Sequence, residues 1–239
     1  EIQAKKIYED IKYFTDKVYY LPKKEIVTYD YVAESKDLPY ERIETLNKMQ
    51  EMRTGVVITT IEAVLQKMIS KKALYKNTLN FKVGDSENLE TIKQKLVELG
   101  YVRCDLIEGR GQFSVRGGIV DISVNEKEGV RLEFWGDEID SIRYFNVVSQ
   151  RSTENIDKIT IYPAHEYILE SNIEDVITNI RNTIYSEKLQ ETIEQDIELI
   201  KAGNYISKID RYLNSFYTEQ DTILDYITDK YLVFLDEQS

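Results

Sequence analysis

The spacing of apolar residues along this chain changes period twice, and any fold for it must accommodate both changes. Up to about residue 80, short β-type runs alternate with helical ones. Residues 1–20 read as a helix ending in a strand, and residues 25–30 as a strand leading into a loop around Pro39. Residues 40–52 read as a helix through Ile43, Leu46 and Met49 that Gly55 stops, residues 56–60 as a strand and residues 61–68 as a helix. This alternation predicts an α/β layer with parallel strands. Residues 78–83 give a further strand, and residues 88–99 an amphipathic helix through Leu89, Ile92, Leu96 and Leu99, closed by Gly100. From Phe113 the period becomes two, with strands over 113–116, 119–124 and 130–135 and a turn over 125–129, the pattern of a β-meander. Helical spacing returns at Ile173, Val176, Ile177, Ile180 and Ile184 and continues through Leu189, Ile193, Ile197 and Ile200 to Gly203, as one long helix or two. An aromatic-rich helix over 212–217 and a final apolar strand over 231–235 follow.

A pattern that stops, changes and resumes predicts one α/β domain interrupted by another unit. The expected division is a discontinuous domain built from residues 1–80 and 166–239, with an α+β insert over 81–165 made of a β-meander and one helix; Pro163 marks its end. The insert falls within the ordinary range of domain sizes, and 239 residues suffice for one large domain or two ordinary ones. No run approaches the roughly 18 consecutive apolar residues of a membrane span, so no membrane partner is expected. The chain opens at Glu1 and not at Met, which suggests a piece of something longer.

Several chemistries are disfavoured at once. The formal net charge of -12 argues against a general nucleic-acid clamp, which needs Lys and Arg to neutralise phosphates. One cysteine, Cys104, and one histidine, His165, make neither an internal disulfide nor a His/Cys zinc cluster, and with no secretory signal the expected compartment is the cytoplasm. The end of the chain, Leu232 to Glu237, has the look of a Walker B strand whose acidic end would hold Mg²⁺. Its required partner is a G-x-x-x-x-G-K-[ST] loop, and none of the ten glycines is followed by Lys; ATP hydrolysis by this chain alone is not expected. His165, where the insert rejoins the first domain, reads as a structural hydrogen-bonding group. Cys104 follows Arg103, which would lower a thiol pKa, but it has no His partner. The acidic residues Asp137, Glu138 and Asp140 lack the spacing of an EF-hand loop and read as a solvated turn. The 18 tyrosines lack the basic track of a base-stacking groove and suit core and interface packing.

The strongest physical signal is the hairpin around residue 130. Side chains alternate across a strand, so Val130, Leu132 and Phe134 point to one face and Arg131, Glu133 and Trp135 to the other. One face is core. The other carries an Arg, a Glu and the chain's one Trp side by side, and Arg and Trp are enriched in interface hot spots. If Val124 pairs with Val130, then Ser123, Asp121 and Ile119 lie opposite Arg131, Glu133 and Trp135. A bulge at Gly117 and Gly118 would bring Arg116 to the same outer face. The competing reading makes Arg131 and Glu133 ordinary surface charges, with Trp135 packed under a loop.

These residues carry a resemblance. Residues 111–122 (Gly-Gln-Phe-Ser-Val-Arg-Gly-Gly-Ile-Val-Asp-Ile), 131–143 (Arg-Leu-Glu-Phe-Trp-Gly-Asp-Glu-Ile-Asp-Ser-Ile-Arg), 149–152 (Ser-Gln-Arg-Ser) and 163–166 (Pro-Ala-His-Glu) look like the N-terminal UvrB-homology region of bacterial transcription-repair coupling factors. Leu21 and Pro22, the helix start at Arg42, and residues 56–60 and 233–237 extend the likeness over nearly the whole chain. The resemblance implies a degenerate, RecA/P-loop-derived, helicase-like domain 1 in two segments with domain 2 inserted. It implies a non-catalytic adaptor, without cofactor, that recruits the repair protein UvrA to RNA polymerase stalled at a lesion. The full-length protein would be an ATP-dependent DNA translocase that meets RNA polymerase and DNA through parts outside this chain, and its other domains would pack over the UvrA face. The positions matching the family's contact motif are Arg116, Arg131, Glu133 and Trp135, where relatives often have Phe. Arg103, in Tyr-Val-Arg-Cys-Asp, resembles the Tyr-x-Arg-Asn-Asp stretch of UvrB with Cys104 in place of Asn. A fragment of UvrB itself is the alternative within the same relationship, but the short path from Tyr31 to the helix at Tyr40 leaves no room for the Tyr-rich hairpin UvrB would carry. A nucleotide-driven motor fragment using Asp236 and Glu237 is the alternative outside it.

Overall fold

The computed structural model describes residues 1–24, 38–168, 172–183, 189–201, 209–217, 219–227 and 230–236. Helix α1 (Ile2–Lys12) packs Ala4, Ile7, Tyr8 and Ile11 against Val18, Tyr20 and Ile58. The last three come from β1 (Val18–Leu21) and β2 (Val56–Thr59), a parallel pair in the register Val18↔Val56 to Leu21↔Thr59. Parallel neighbours need a long crossover. This one contains α2 (Leu38–Glu51), which buries Ile43, Leu46 and Met49. Pro39, expected in a loop, stands in the first turn of α2, where its missing N–H would have no intrahelical partner in any case. The strand expected over 25–30 lies outside the described residues.

Beyond β2, Thr60 and Ser70 cap two short helices by accepting from the N–H groups of Ala63 and Ala73; these are α3 (Ile61–Leu65) and α4 (Lys71–Lys76). Between them β3 (Met68–Ile69) takes Met68 out of the helix predicted for it, because the backbone turns extended at Gln66. Its partner is β12 (Gln220–Asp221), and the pair is antiparallel. The expectation of a wholly parallel layer is thus corrected: among the described residues of this half, only β1 and β2 run parallel.

The stretch expected as one helix or two is two, α6 (Ile173–Asn182) and α7 (Gln190–Lys201), followed by a 3-10 turn over 209–212, α8 (Leu213–Phe216) and α9 (Ile223–Tyr226). Leu21, Leu46, Met68 and Leu74 share one apolar cluster with Ile177, Ile180, Ile197, Tyr212 and Tyr226, so the first and last thirds of the chain fold around the same core. The final strand predicted over 231–235 is not formed. Leu232, Val233, Phe234 and Leu235 are exposed, no described strand pairs with them, and a lone strand leaves its N–H and C=O groups without a ladder. Asp236 accepts from Gln3 Nε2 at 2.5 Å, which sets this tail beside α1.

Residues between these parts hang on a two-stranded stem. β4 (Leu79–Lys82) pairs antiparallel with β11 (Lys158–Ile161), and beyond it lies a second, separate apolar cluster. Its lid is α5 (Leu89–Glu98), started by Asn88, whose side chain accepts from the N–H groups of Glu90 and Thr91. Its floor is a six-stranded sheet in the order β10-β9-β8-β7-β6-β5. These strands are β5 (Val102–Arg103), β6 (Gln112–Arg116), β7 (Ile119–Ser123), β8 (Glu128–Trp135), β9 (Glu138–Asn146) and β10 (Ser152–Ile156). Only the β5–β6 pair in it is parallel.

The exit from the stem closes on α5. Gly100 has φ +85°, and a Cβ there would fall 2.2 Å from Nε2 of His165. Only glycine serves both demands. His165 is buried, its Nδ1 accepts from the N–H of Tyr167 at 3.3 Å, and burial pushes its pKa down from 6.5 to about 4. The unfolded chain takes up this proton below its ordinary value, whereas the folded chain resists until about pH 4. Stability is therefore expected to be full above the ordinary histidine value and to fall by about 3 kcal/mol as pH drops through this window. Urea unfolding of the wild type and of His165→Gln at several pH values tests this. The variant should lose that slope, and an unchanged slope would remove His165 as its source.

Candidate protein-binding face

The outer face of the sheet is set by three turns. Gly117 and Gly118 join β6 to β7 directly, with Arg116 paired to Ile119 and Gly117 at φ +59°. They form a hairpin turn and not the bulge expected there, since a positive φ in a two-residue loop matches strand twist. Arg116 reaches the outer face by plain alternation: Phe113 is buried in the core and Ser114 and Arg116 lie on the other side. Asn125 makes the second turn, its Oδ1 accepting from the N–H groups of Lys127 and Glu128 while Val124 N–H donates to Glu128 O. Glu128 is thereby already in the strand. Ile122 pairs with Val130, Asp121 with Arg131 and Ile119 with Glu133, two residues away from the register predicted by pairing Val124 with Val130. The third turn, through Gly136 and Asp137, joins Trp135 to Glu138, and a register shift between Glu133 and Phe134 precedes it.

Faces are kept by a two-residue slip but partners are not. Val120, Ile122, Val130, Leu132 and Ile142 pack beneath the sheet with Ile92 and Leu96 of α5. Above it stand Arg116, Asp121, Arg131, Glu133, Ser141 and Arg143, from four adjacent strands. Asp121, 1% exposed, accepts from Arg131 Nε at 2.7 Å, from Arg131 Nη2 at 2.9 Å and from Arg116 Nη2 at 2.6 Å. Hydrogen bonding to Asp121, ahead of the opposing effect of burial, holds the Arg131 guanidinium above its ordinary pKa. Glu133 accepts from Ser141 Oγ at 2.8 Å and from Arg143 Nη2. Burial pushes the Glu133 carboxyl up, but those two bonds together with the charges of Arg143 and Arg131 outweigh it and the pKa lies below the ordinary value. The arginine carbon of Arg131 sits 5.1 Å above the ring of Phe145, which is buried against Ile107 and Val147. At the end of β8, Trp135 stands 84% exposed. An indole in water beside a fixed array of alternating charges offers apolar area and oriented charge-assisted bonds together.

Of the five residues singled out from the sequence, the fold gathers Arg116, Arg131, Glu133 and Trp135 on this face. Arg103 is set apart. It pairs with Phe113 on the edge strand β5, on the side of α5, where its charge adds to the larger effect of Lys93 in lowering the pKa of Glu90. Asp121, Ser141 and Arg143 were missed as members. The two-residue turn through Gly136 and Asp137 would by itself set Asp140 opposite Glu133 and turn Ser141 and Arg143 toward the core; the register shift between Glu133 and Phe134 brings them to the outer face, and no local pattern announces it.

The other candidates gather elsewhere or not at all. Cys104 donates to Phe113 O at 3.5 Å; burial, then Asp105 and Glu108, push its thiol pKa up, against the lowering expected from Arg103. Among the described residues, no group of His, Cys, Asp and Glu is placed to hold a metal ion. A cleft of about 630 Å³ opens between α2 and the stem, lined by Tyr40, Glu44, Lys48, Arg110 and Tyr162 among others, and none of the five residues lines it. No helix among the described residues is long and apolar enough to cross a membrane.

Residues 79–167 match the family described as UvrB interaction domain. Over nearly its whole length the chain is similar to transcription-repair-coupling factors. It is 29% identical over 253 aligned positions to that of Bacillus subtilis (strain 168), covering 99% of the chain and 21% of the relative. It is 31% identical over 252 positions to that of Staphylococcus aureus (strain MRSA252), covering 98% and 21%. The chain thus spans about a fifth of the length of the curated relatives it matches.

Proposed function

We propose, from the premise that this chain is homologous to transcription-repair coupling factors over nearly its whole length and contains a UvrB interaction domain, that it is the adaptor region which recruits UvrA to RNA polymerase stalled at DNA damage. The observation that carries this reading is the outer face of the sheet, where an ordered row of alternating charges ends in an exposed tryptophan while the opposite face is filled by core. Arg116, Arg131, Glu133 and Trp135 are its contact residues, and Arg103, on the side of α5, stands apart from them.

In the same reading, residues 1–80 and 166–239 form a degenerate, RecA-derived domain 1 and residues 81–165 the inserted domain 2. The two separate apolar clusters and the parallel β1–β2 pair with its helical crossover support that division. The region is non-catalytic and takes no cofactor, since its sequence holds no phosphate loop. DNA translocation driven by ATP, and the contacts to RNA polymerase and DNA, belong to the remainder of the protein, whose other domains cover the face until UvrA engages. The coupling-factor relatives favour this reading over a fragment of UvrB.

Titrating purified UvrA into the chain in a calorimeter tests it. Saturable binding is expected, and the absence of heat at concentrations that saturate UvrB would sink the assignment.

A further inference from the structure

We propose that Asp121 is a positioning residue of this face: its carboxylate fixes Arg131 and Arg116 in the arrangement the partner meets, and so sets affinity without touching the partner. This rests on the reading of the face as the UvrA-binding surface. Asp121 is 1% exposed, too deep for contact with another protein. Its two oxygens nevertheless accept three bonds from two arginines that reach it from β6 and β8. Arg131 meets it through Nε and Nη2, which leaves Nη1 for a partner, and Arg116 meets it through Nη2, which leaves Nε and Nη1. No other carboxylate among the described residues forms an ion pair with either arginine.

Long charged side chains lose much rotamer freedom when a partner orders them, and a face that has already ordered them avoids that loss at the moment of binding. Charge arrangement adds to this. Arg131 lies directly opposite Arg143 across β8 and β9, a like-charge juxtaposition that is unfavourable when nothing offsets it. Asp121 on one side of Arg131 and Glu133 on Arg143 supply the offset. Removing the charge of Asp121 leaves three arginines around one carboxylate.

The test is calorimetric titration of UvrA into the full chain as wild type, Asp121→Asn, Arg116→Ala/Arg131→Ala, and the triple variant. Asp121→Asn is expected to weaken binding about tenfold, while the same change made on top of the two alanines shifts affinity less than about twofold, because coupled residues are not additive. Wild-type-like affinity of Asp121→Asn, or a full tenfold loss in the double-alanine background, would overturn the positioning role and leave the UvrA assignment standing. Failure of the wild type to bind overturns both. Relaxation of the Arg131 side-chain N–H in the free wild type gives a readout that needs no variant. A rigid group, with an order parameter near the backbone value of about 0.85, is expected, and a value below about 0.6 contradicts the proposal.

Discussion

Replacing Glu166 by alanine is expected to lower the stability of the chain by about 3–5 kcal/mol, the cost of leaving buried charge without its counter-charge. Glu166 receives Arg42 Nε at 2.6 Å and Lys24 Nζ at 3.1 Å, and all three side chains are buried. Arg42 also donates to the carbonyl of Pro22, and the Lys24 ammonium lies 5.5 Å from the centre of the Tyr167 ring. Alanine at 166 leaves the buried Arg42 guanidinium without its carboxylate and takes one from Lys24. Equilibrium urea unfolding measures the effect. A triad replaced as a whole by apolar groups of similar volume should regain most of the loss, because the penalty comes from the unpaired partners more than from the missing attraction. A Lys24→Met/Arg42→Met/Glu166→Met chain as unstable as the single variant would contradict this account. The pH sign follows. Burial pushes the Glu166 carboxyl up, but Arg42 and Lys24 outweigh it and hold it at about 2 against an ordinary 4.5. The triad's contribution is therefore present above the ordinary carboxylate value and lost as pH falls toward about 2.

Trp135→Ala is expected to weaken UvrA binding at least thirtyfold, about 2 kcal/mol, while leaving the unfolding midpoint within about 0.5 kcal/mol of wild type. The two halves of this expectation have one cause. An indole that is 84% exposed contributes little to the folded chain, and its apolar area is available to be taken from water by a partner. Arg131→Ala should weaken binding too but with a stability change, since it breaks two of the three bonds that satisfy a buried carboxylate. Calorimetry paired with urea unfolding separates the two behaviours. Unchanged affinity in Trp135→Ala would remove the tryptophan from the site.

What the sequence reveals of this face divides at the range of the interaction. Alternation is local, and it places Val130 and Leu132 inward and Arg131 and Glu133 outward correctly, because the parity of a strand survives any even slip in register. Register is less local. It was misjudged by two residues because a single side chain, Asn125, closes the turn early, and this put Asp121 opposite Glu133 instead of Arg131. Helix starts such as Asn88 are visible from composition, as is the need for a small residue at Gly100, but not that His165 fills the space beside it. The pairing of β3 with β12 and the bond from Arg42 to Glu166 join residues more than 120 positions apart, and no local pattern carries them. The terminal run 231–235 shows the reverse error. Its β-rich composition is real, but a strand is a property of a pair, and among the described residues no strand pairs with it.

The stem of β4 and β11 places the points where the chain enters and leaves the sheet side by side, the spacing of neighbouring strands being about 5 Å. A segment whose two ends meet so closely makes few demands on its host. Any surface hairpin offers the same pair of attachment points, so the sheet with its charged row can be carried as a portable cassette, spliced into different scaffolds without re-engineering either. Selection can then act on the host and on the cassette as separate inventions.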